Sequence, residues 1–137
     1  MTLPQLTIDI FFAALTCWRE ARGETHTTKG CVLSVIRNRV KARWIHDTTY
    51  QDVCVHPHQF SGLTQPGDPN LSKFPSSTEG AWLDCLDLAQ QVVNDTYPDD
   101  TNGAVFYHDI SMSGPPSVWG PVTQCYTSGR IIFYREI

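Results

Sequence analysis

Apolar residues near the start of the chain recur at helical spacing, at Ile8, Phe11, Phe12 and Leu15. This period predicts a first helix of about residues 8–22 with these four side chains on its buried face. Thr7 has the side chain of an N-cap, and Gly23 is a stop signal for the helix.

A second helix is predicted over about residues 27–42. Its apolar positions follow the helical period and are Val32, Val35, Ile36 and Val40. Arg37 and Arg39 fall on other faces of this helix.

A third helix is predicted over about residues 77–95. Ser76 and Glu79 match the capping-box pattern at its start, and the turn-forming residues 98–103 end it. Its buried side is predicted from Leu83, Leu86, Ala89, Val92 and Val93.

The stretch 44–75 between these helices is predicted to be irregular, because it is rich in Pro, Gly, His and Asp. Loops of this length in a compact domain are often functional, so we interpret it as one wall of a substrate cleft. Two short strands follow, at 104–108 and 131–134. Helices followed by a small sheet indicate an α+β fold.

Composition sets the broad class of protein. The 137 residues, 41% of them hydrophobic, supply enough material for one core, so we predict a single catalytic domain over residues 1–137. The net charge of −4 argues against a nucleic-acid or anionic-membrane binder. No apolar run reaches the length of a membrane span, so we expect no membrane insertion.

Five cysteines, an odd number, include no CxxC pair, which argues against a zinc ribbon or a thioredoxin-type site. Cys17, Cys31 and Cys85 lie in helical patterns and are interpreted as small buried hydrophobes. The sequence leaves open whether any disulfide forms in an oxidising space.

The main candidate for chemistry is Glu20, which follows an apolar helical stretch and lies two residues from Trp18. Apolar surroundings raise a carboxyl pKa, and a carboxylic acid protonated near neutral pH is the general acid that glycosidic cleavage needs. The alternative is a surface ion pair with the nearby arginines. Glu24 would share a helix face with Glu20, but Gly23 is expected to end the helix first.

Seven sequence blocks occur in one order along the chain: residues 18–24, Gly30, residues 35–40, 58–61, 103–108, 116–119 and 129–134. In this order they resemble the SleB-type cell-wall hydrolases, a family of spore-cortex-lytic enzymes and phage lysins. The resemblance implies a lysozyme-like fold in which the catalytic Glu ends a central helix at the floor of a groove. That residue corresponds to Glu20, and Glu24 to a supporting position.

The resemblance also implies a lytic transglycosylase, which cleaves between MurNAc and GlcNAc with one Glu and leaves a 1,6-anhydro ring. Peptidoglycan glycan strands are the expected partner, without a cofactor or metal, and the protein is expected to be a monomer. Further candidate residues for substrate contact or support are Gln59, Phe60, Ser61, Tyr107, His108 and Trp119.

Three alternatives stay open. An N-acetylmuramoyl-L-alanine amidase would need a zinc site, for which His56, His58 and His108 are candidates. A Cys peptidase would need a thiol at a helix N-terminus, whereas Cys17 lies within a helix. A catalytically inactive peptidoglycan-binding module would use the same groove.

The N-terminal apolar patch is short, follows Asp9 and has no Lys or Arg before Arg19, so we expect no signal peptide. This pattern is typical of a phage endolysin that waits in the host cytoplasm. Such an enzyme reaches the periplasmic peptidoglycan after the inner membrane is permeabilised.

Overall fold

A computed structural model describes residues 3–137 of the chain. The predicted domain of residues 1–137 thus includes two residues that lie outside the described ones. The helices are α1 (Leu3–Ala21), α2 (His26–Lys41), α3 (Tyr50–Val55), α4 (Ser61–Thr64) and α5 (Gly80–Val93). The strands are β1 (Phe106–Asp109), β2 (Val122–Ser128) and β3 (Ile131–Glu136). Short 3₁₀ turns cover Trp44–His46, Pro69–Ser72 and Ser117–Trp119.

Helix α1 begins earlier than predicted, so the N-cap prediction for Thr7 is wrong. Pro4 lies in the first turn of the helix, where proline is tolerated because its missing N–H has no helical partner. The predicted buried face is only partly correct, because Ile8 is 37% exposed and Phe11 46% exposed. The helix buries mainly residues 13–19, which pack against α2, α3 and α5.

Helix α2 contacts all the other main elements: α1, α3, α5 and the sheet. Thr25 caps it by accepting a hydrogen bond from the backbone N–H of Thr28 at 3.3 Å. Its apolar residues are buried as predicted, except that Val40 is half-buried. Arg37 and Arg39 are also buried. The helix is therefore enclosed on several faces, including those that carry charge.

The stretch 44–75 is less irregular than predicted, because it contains α3, α4 and two of the 3₁₀ turns. Helices α3 and α4 are too short to show a helical period in the sequence. Thr49 caps α3, and its hydroxyl accepts from the backbone N–H of Asp52 at 3.0 Å. Val53, Cys54 and Phe60 anchor this stretch in the core beside α1.

The capping box predicted before α5 does not form. Glu79 is itself the N-cap residue, and its carboxylate accepts a hydrogen bond from the indole N–H of Trp18. Leu83 is 50% exposed, so its predicted burial is wrong. Cys85, Leu88 and Val92 form the buried side of α5 against α1 and α2.

The sheet is antiparallel in the order β1-β3-β2. Strand β2 was missed because its side chains are mostly half-exposed and carry no clear period. Its pairing with β3 shifts register between Gln124 and Tyr126. Phe106 pairs with Tyr134 at the start of β1. Five helices and this small sheet confirm the predicted α+β class, mainly helical.

Candidate active site

A cleft of about 550 Å³ opens where the end of α1 faces β1. Its other walls are the turn after α2, the segment before α4 and the 3₁₀ turn before β2. The residues that line it are Glu20, Arg39, Trp44, Ile45, His58, Gln59, Phe60, Ser61, Gln65, Phe106, Tyr107, Val118, Trp119 and Glu136. The predicted wall in the stretch 44–75 therefore does line a cleft.

Glu20 lies in the last turn of α1 and is half-buried. Burial raises the pKa of its carboxyl to about 7, and the negative charge of Asp68 contributes to the rise. A hydrogen bond from Tyr107 acts in the opposite direction and lowers this pKa. Close to neutral pH, Glu20 therefore exists in both protonation states, as a group that gives and takes a proton requires.

The two arginines beside Glu20 have other partners. The Arg19 guanidinium donates to the carbonyls of Gly62, Leu71 and Lys73. The Arg22 guanidinium lies over the Trp18 ring, 4.5 Å from its centroid. Within residues 3–137 Glu20 makes no ion pair, so the surface ion-pair interpretation of this residue is wrong.

Tyr107 lines the cleft from β1, and its hydroxyl donates to Oε1 of Glu20 at 3.5 Å. Its ring packs against Phe60 and Phe133, with centroid distances of 6.4 and 5.9 Å. Burial raises the pKa of this phenol well above its usual value, so the hydroxyl keeps its proton at neutral pH. Tyr107 therefore acts as a fixed donor to the Glu20 carboxylate.

Residues 59–61 reach the cleft as a group just before and at the start of α4. The Gln59 side-chain oxygen accepts from Nη1 of Arg39 at 3.5 Å. Phe60 is almost fully buried and belongs to the core, so it forms part of the floor. Ser61 is exposed. Gln59 and Ser61 are the members of this group with polar atoms available to a sugar.

Trp119 lines the opposite side of the cleft, at the end of the Ser117–Trp119 turn. Its ring stacks on Phe106 with a centroid distance of 4.7 Å and an interplanar angle of 16°. The indole is half-buried. This packing holds one ring face against the protein and fixes the position of the indole at the cleft.

Two of the predicted site residues do not line the cleft. The His108 ring is buried between other partners, with Nε2 2.8 Å from the Tyr134 hydroxyl and Nδ1 2.8 Å from the Asp109 carbonyl oxygen. Glu24 lies beyond the end of α1, as expected from Gly23. Its carboxylate lies against Gly129, where a Cβ would be 2.8 Å from Oε2. Both positions favour a structural role.

The residues of the alternative zinc site do not converge. His58 lines the cleft, whereas Nδ1 of His56 lies 2.9 Å from Asp47 and His108 is held by Tyr134. Over residues 3–137, no group of three or more His, Cys, Asp or Glu side chains is arranged to hold a metal ion.

The thiol of the Cys peptidase alternative is also unsuitable. Cys17 is fully buried, and its pKa is raised well above the usual value by its hydrogen bond with Cys85 and by burial. A protonated thiol without access to solvent is a poor nucleophile.

Several cleft residues were missed by sequence reasoning, chiefly Arg39 and the pair Trp44 and Ile45. Arg39 lies on a different helix face from the apolar positions, and the helical period gave no reason to place it in a cleft. The turn that carries Trp44 and Ile45 has positive φ at Arg43 (50°), Ile45 (53°) and His46 (66°). No local sequence signal predicts such a turn, since positive φ is uncommon for residues other than glycine and least expected for the β-branched Ile45.

Residues 23–134 match the model of the family described as Cell Wall Hydrolase. This is most of the chain, so the chain belongs to that family, and the resemblance to SleB-type hydrolases is confirmed. It is an enzyme that acts on peptidoglycan. The matched segment begins after Glu20, so the assignment of the acid depends on the cleft geometry. A comparison with curated proteins finds no match.

The fold is similar to two solved structures. One is the catalytic domain of the Bacillus cereus SleB protein, with a TM-score of 0.70, 23% identity, and coverage of 93% of this chain and 89% of that chain. The other is the catalytic domain of the germination-specific lytic transglycosylase SleB from Bacillus anthracis, with a TM-score of 0.68, 23% identity and 93% coverage of both chains.

Proposed function

We propose that the protein is a lytic transglycosylase that cleaves the MurNAc–GlcNAc bond of peptidoglycan, with Glu20 as its single catalytic acid and base. The observation that carries this proposal is the half-buried Glu20 carboxyl at the cleft, with its pKa raised to about 7. An ordinary surface carboxyl would be ionised at neutral pH and would be a poor proton donor.

The reaction has two proton transfers through one residue. Protonated Glu20 first gives its proton to the glycosidic oxygen, and the bond from that oxygen to the anomeric carbon of MurNAc breaks. The Glu20 carboxylate then takes the proton of the MurNAc 6-hydroxyl, whose oxygen bonds to the anomeric carbon. The product is a 1,6-anhydro ring, no water is consumed, and Glu20 regains its proton.

Tyr107 supports the second half of this cycle. Its hydroxyl donates to Oε1 of Glu20 at 3.5 Å, which stabilises the carboxylate after it has given up its proton. Burial without this hydrogen bond would raise the pKa of Glu20 further and disfavour its ionised form. The opposing effects of burial and the Tyr107 bond keep the pKa near the working pH.

The cleft has one other lining carboxylate within the described residues, Glu136 at the exposed end of β3. A two-carboxylate hydrolase that took its second carboxylate from the cleft lining would use this group as nucleophile or base. The likeness to a domain named as a lytic transglycosylase supports the one-carboxylate reaction.

Product analysis tests the proposal. Purified peptidoglycan is digested, and the fragments are separated and weighed by mass spectrometry. Glycan fragments that end in 1,6-anhydro-MurNAc, one water lighter than reducing ends, are expected, and Glu136→Gln should yield the same products. Reducing ends would indicate a hydrolase, free stem peptides an amidase, and intact polymer that is bound but uncleaved an inactive module.

We further propose that the protein is a phage endolysin. It would be stored as a monomer in the host cytoplasm and would act on periplasmic peptidoglycan after membrane permeabilisation. All five cysteines are free thiols and four are buried, which fits storage in a reducing compartment. Cys17 and Cys85 remain unlinked with their sulfurs 3.4 Å apart. Within residues 3–137, no helix is long and apolar enough to cross a membrane.

Expression in a Gram-negative cell tests the proposed storage in the cytoplasm and the proposed route to peptidoglycan. The protein should stay in the cytoplasmic fraction with little lysis until chloroform permeabilises the inner membrane, and Glu20→Gln should remove the chloroform-dependent lysis. Spontaneous lysis with the protein in the periplasm would contradict the proposed route. Light scattering of the purified protein should report a monomer.

A further inference from the structure

Three arginines are buried in this small protein: Arg19, Arg37 and Arg39. Arg19, 7% exposed, donates to three carbonyls through Nε, Nη1 and Nη2. Arg37, 3% exposed, donates to the Tyr97 carbonyl and forms an ion pair with Asp95 at 3.5 Å. These two sets of partners differ in kind: Arg19 has an acceptor for each of its three nitrogens, whereas Arg37 has a carboxylate that balances its charge, with both of its contacts on Nη1.

The third, Arg39, is 4% exposed and lacks such a set. Its Nε donates to the Val105 carbonyl at 2.7 Å, and its Nη1 donates to Gln59 Oε1 at 3.5 Å. Within residues 3–137, it forms no ion pair with a carboxylate. Its Nη2 group donates no hydrogen bond to any of these residues.

The N–H groups of Arg39 that lack a hydrogen-bond partner are not fully buried. In the described part of the chain, the one fully buried side-chain nitrogen or oxygen without a partner is Oδ2 of Asp9. The Nη2 group of Arg39 therefore keeps some access to solvent, and Arg39 lines the cleft that holds Glu20. The donors of this guanidinium are accordingly available to a ligand in the cleft.

Aromatic rings hold the Arg39 guanidinium in a fixed orientation. Its central carbon lies 4.4 Å from the Trp44 ring centroid, 5.1 Å from that of Phe60 and 5.5 Å from that of Phe106. Burial lowers the pKa of Arg39 to about 10, so the group still carries its charge at neutral pH. A planar cation with unused N–H donors on Nη1 and Nη2 at the cleft matches a carboxylate.

We propose that Arg39 binds a carboxylate on the lactyl substituent of N-acetylmuramic acid and thereby makes the cleft select muramoyl glycans over plain N-acetylglucosamine polymers. This inference rests on the proposed function of the cleft. The carboxylate has two sources: the free lactyl acid of strands without peptides, or a free acid of the peptide attached to the lactyl group.

Binding to the inactive Glu20→Gln protein tests the proposal without turnover. Four tetrasaccharides are titrated by calorimetry: chitotetraose, a MurNAc–GlcNAc tetramer with free lactyl acids, its neutral lactyl methylamide, and the same tetramer with stem peptides. At least one acidic ligand should bind about tenfold more tightly than the methylamide and chitotetraose, as expected for a charge-assisted pair. The stronger acidic ligand identifies the source of the carboxylate.

Arginine variants in the Glu20→Gln background locate the selectivity. Arg39→Met should remove the tenfold preference while leaving chitotetraose binding unchanged, and Arg39→Lys should keep part of it. Arg37→Lys, which changes the other buried arginine of the same helix, should keep all of it.

Equal affinity of acidic and neutral ligands for the Glu20→Gln protein would overturn the proposal, whether or not Arg39→Met folds. An equal loss of affinity for all four ligands in a folded Arg39→Met protein would show that Arg39 has a purely structural role. This result would also overturn the proposal. If the unaltered enzyme yields no anhydro products while the Glu20→Gln protein still prefers acidic ligands, the proposed reaction is refuted and the proposed role of Arg39 is not. No binding of any saccharide would refute both.

Discussion

The hydroxyl of Tyr107 and the carboxylate of Glu20 lie 3.5 Å apart, although the two residues are separated by 87 positions in the chain. This bond lowers the pKa of Glu20, whereas burial raises it to about 7. Removing the hydroxyl should therefore raise the pKa of Glu20 further.

Tyr107→Phe should shift the descending limb of the pH profile of kcat to higher pH, because Glu20 then holds its proton longer. The maximal rate should fall, since the carboxylate loses a donor that stabilises it. The matched control is Tyr134→Phe, which removes a hydroxyl bonded to His108 outside the cleft. An unshifted profile for Tyr107→Phe would show that the bond does not tune the acid.

Glu20 should also make the stability of the protein depend on pH. Its folded pKa of about 7 exceeds its usual value of 4.5, so its protonated form favours folding. That contribution is fully present below pH 4.5 and is lost as the pH rises through 7. Glu20→Gln should therefore raise the free energy of unfolding at pH 8 by up to about 3 kcal/mol. Urea titrations at pH 4 and pH 8 measure the difference, and equal effects at both values would contradict it.

Trp119 should contribute to substrate binding rather than to the chemical step. Trp119→Ala removes an indole that stacks on Phe106 at the cleft. KM for soluble glycan fragments should rise by about 3-fold to 10-fold, with a smaller change in kcat. Trp119→Phe keeps an aromatic surface and should recover most of the affinity. A loss confined to kcat would contradict a binding role.

Chelation should leave the activity unchanged. His56, His58 and His108 do not form a metal-binding group, and neither do other residues of the described chain. Lysis of purified peptidoglycan is measured after dialysis against EDTA. Loss of activity that zinc restores would move the assignment to the amidase alternative.

Local patterns predicted the parts of the site that lie near clear helix and strand signals. Glu20 could be placed because Gly23 ends α1 just beyond it. The apolar strand pattern placed Tyr107 on β1 but left open whether its side chain faces the cleft or the core. Gln59, Ser61 and Trp119 came from the family resemblance, since their own segments carry no period. Their roles in catalysis and binding stay predictions.

Other features depend on tertiary contacts that a single sequence does not contain. The burial of Arg39 arises because its guanidinium packs against the nearby Trp44 and against Phe60 and Phe106, which are distant in the chain. His108 had the right residue type and strand position, but the Tyr134 hydroxyl from β3 holds its ring away from the cleft.

Turnover of purified peptidoglycan by Glu20→Gln and Glu24→Gln tests the central claim most directly. The two substitutions are chemically identical and four residues apart, and folding is checked by circular dichroism. Glu20→Gln should lower kcat by about 10²-fold or more, because the amide cannot donate a proton to the glycosidic oxygen as the Glu20 carboxyl does. Glu24→Gln should stay within about threefold of the unaltered enzyme, since Glu24 does not line the cleft. Near-normal turnover by Glu20→Gln, with loss in Glu24→Gln, would contradict the assignment of Glu20 as the catalytic acid.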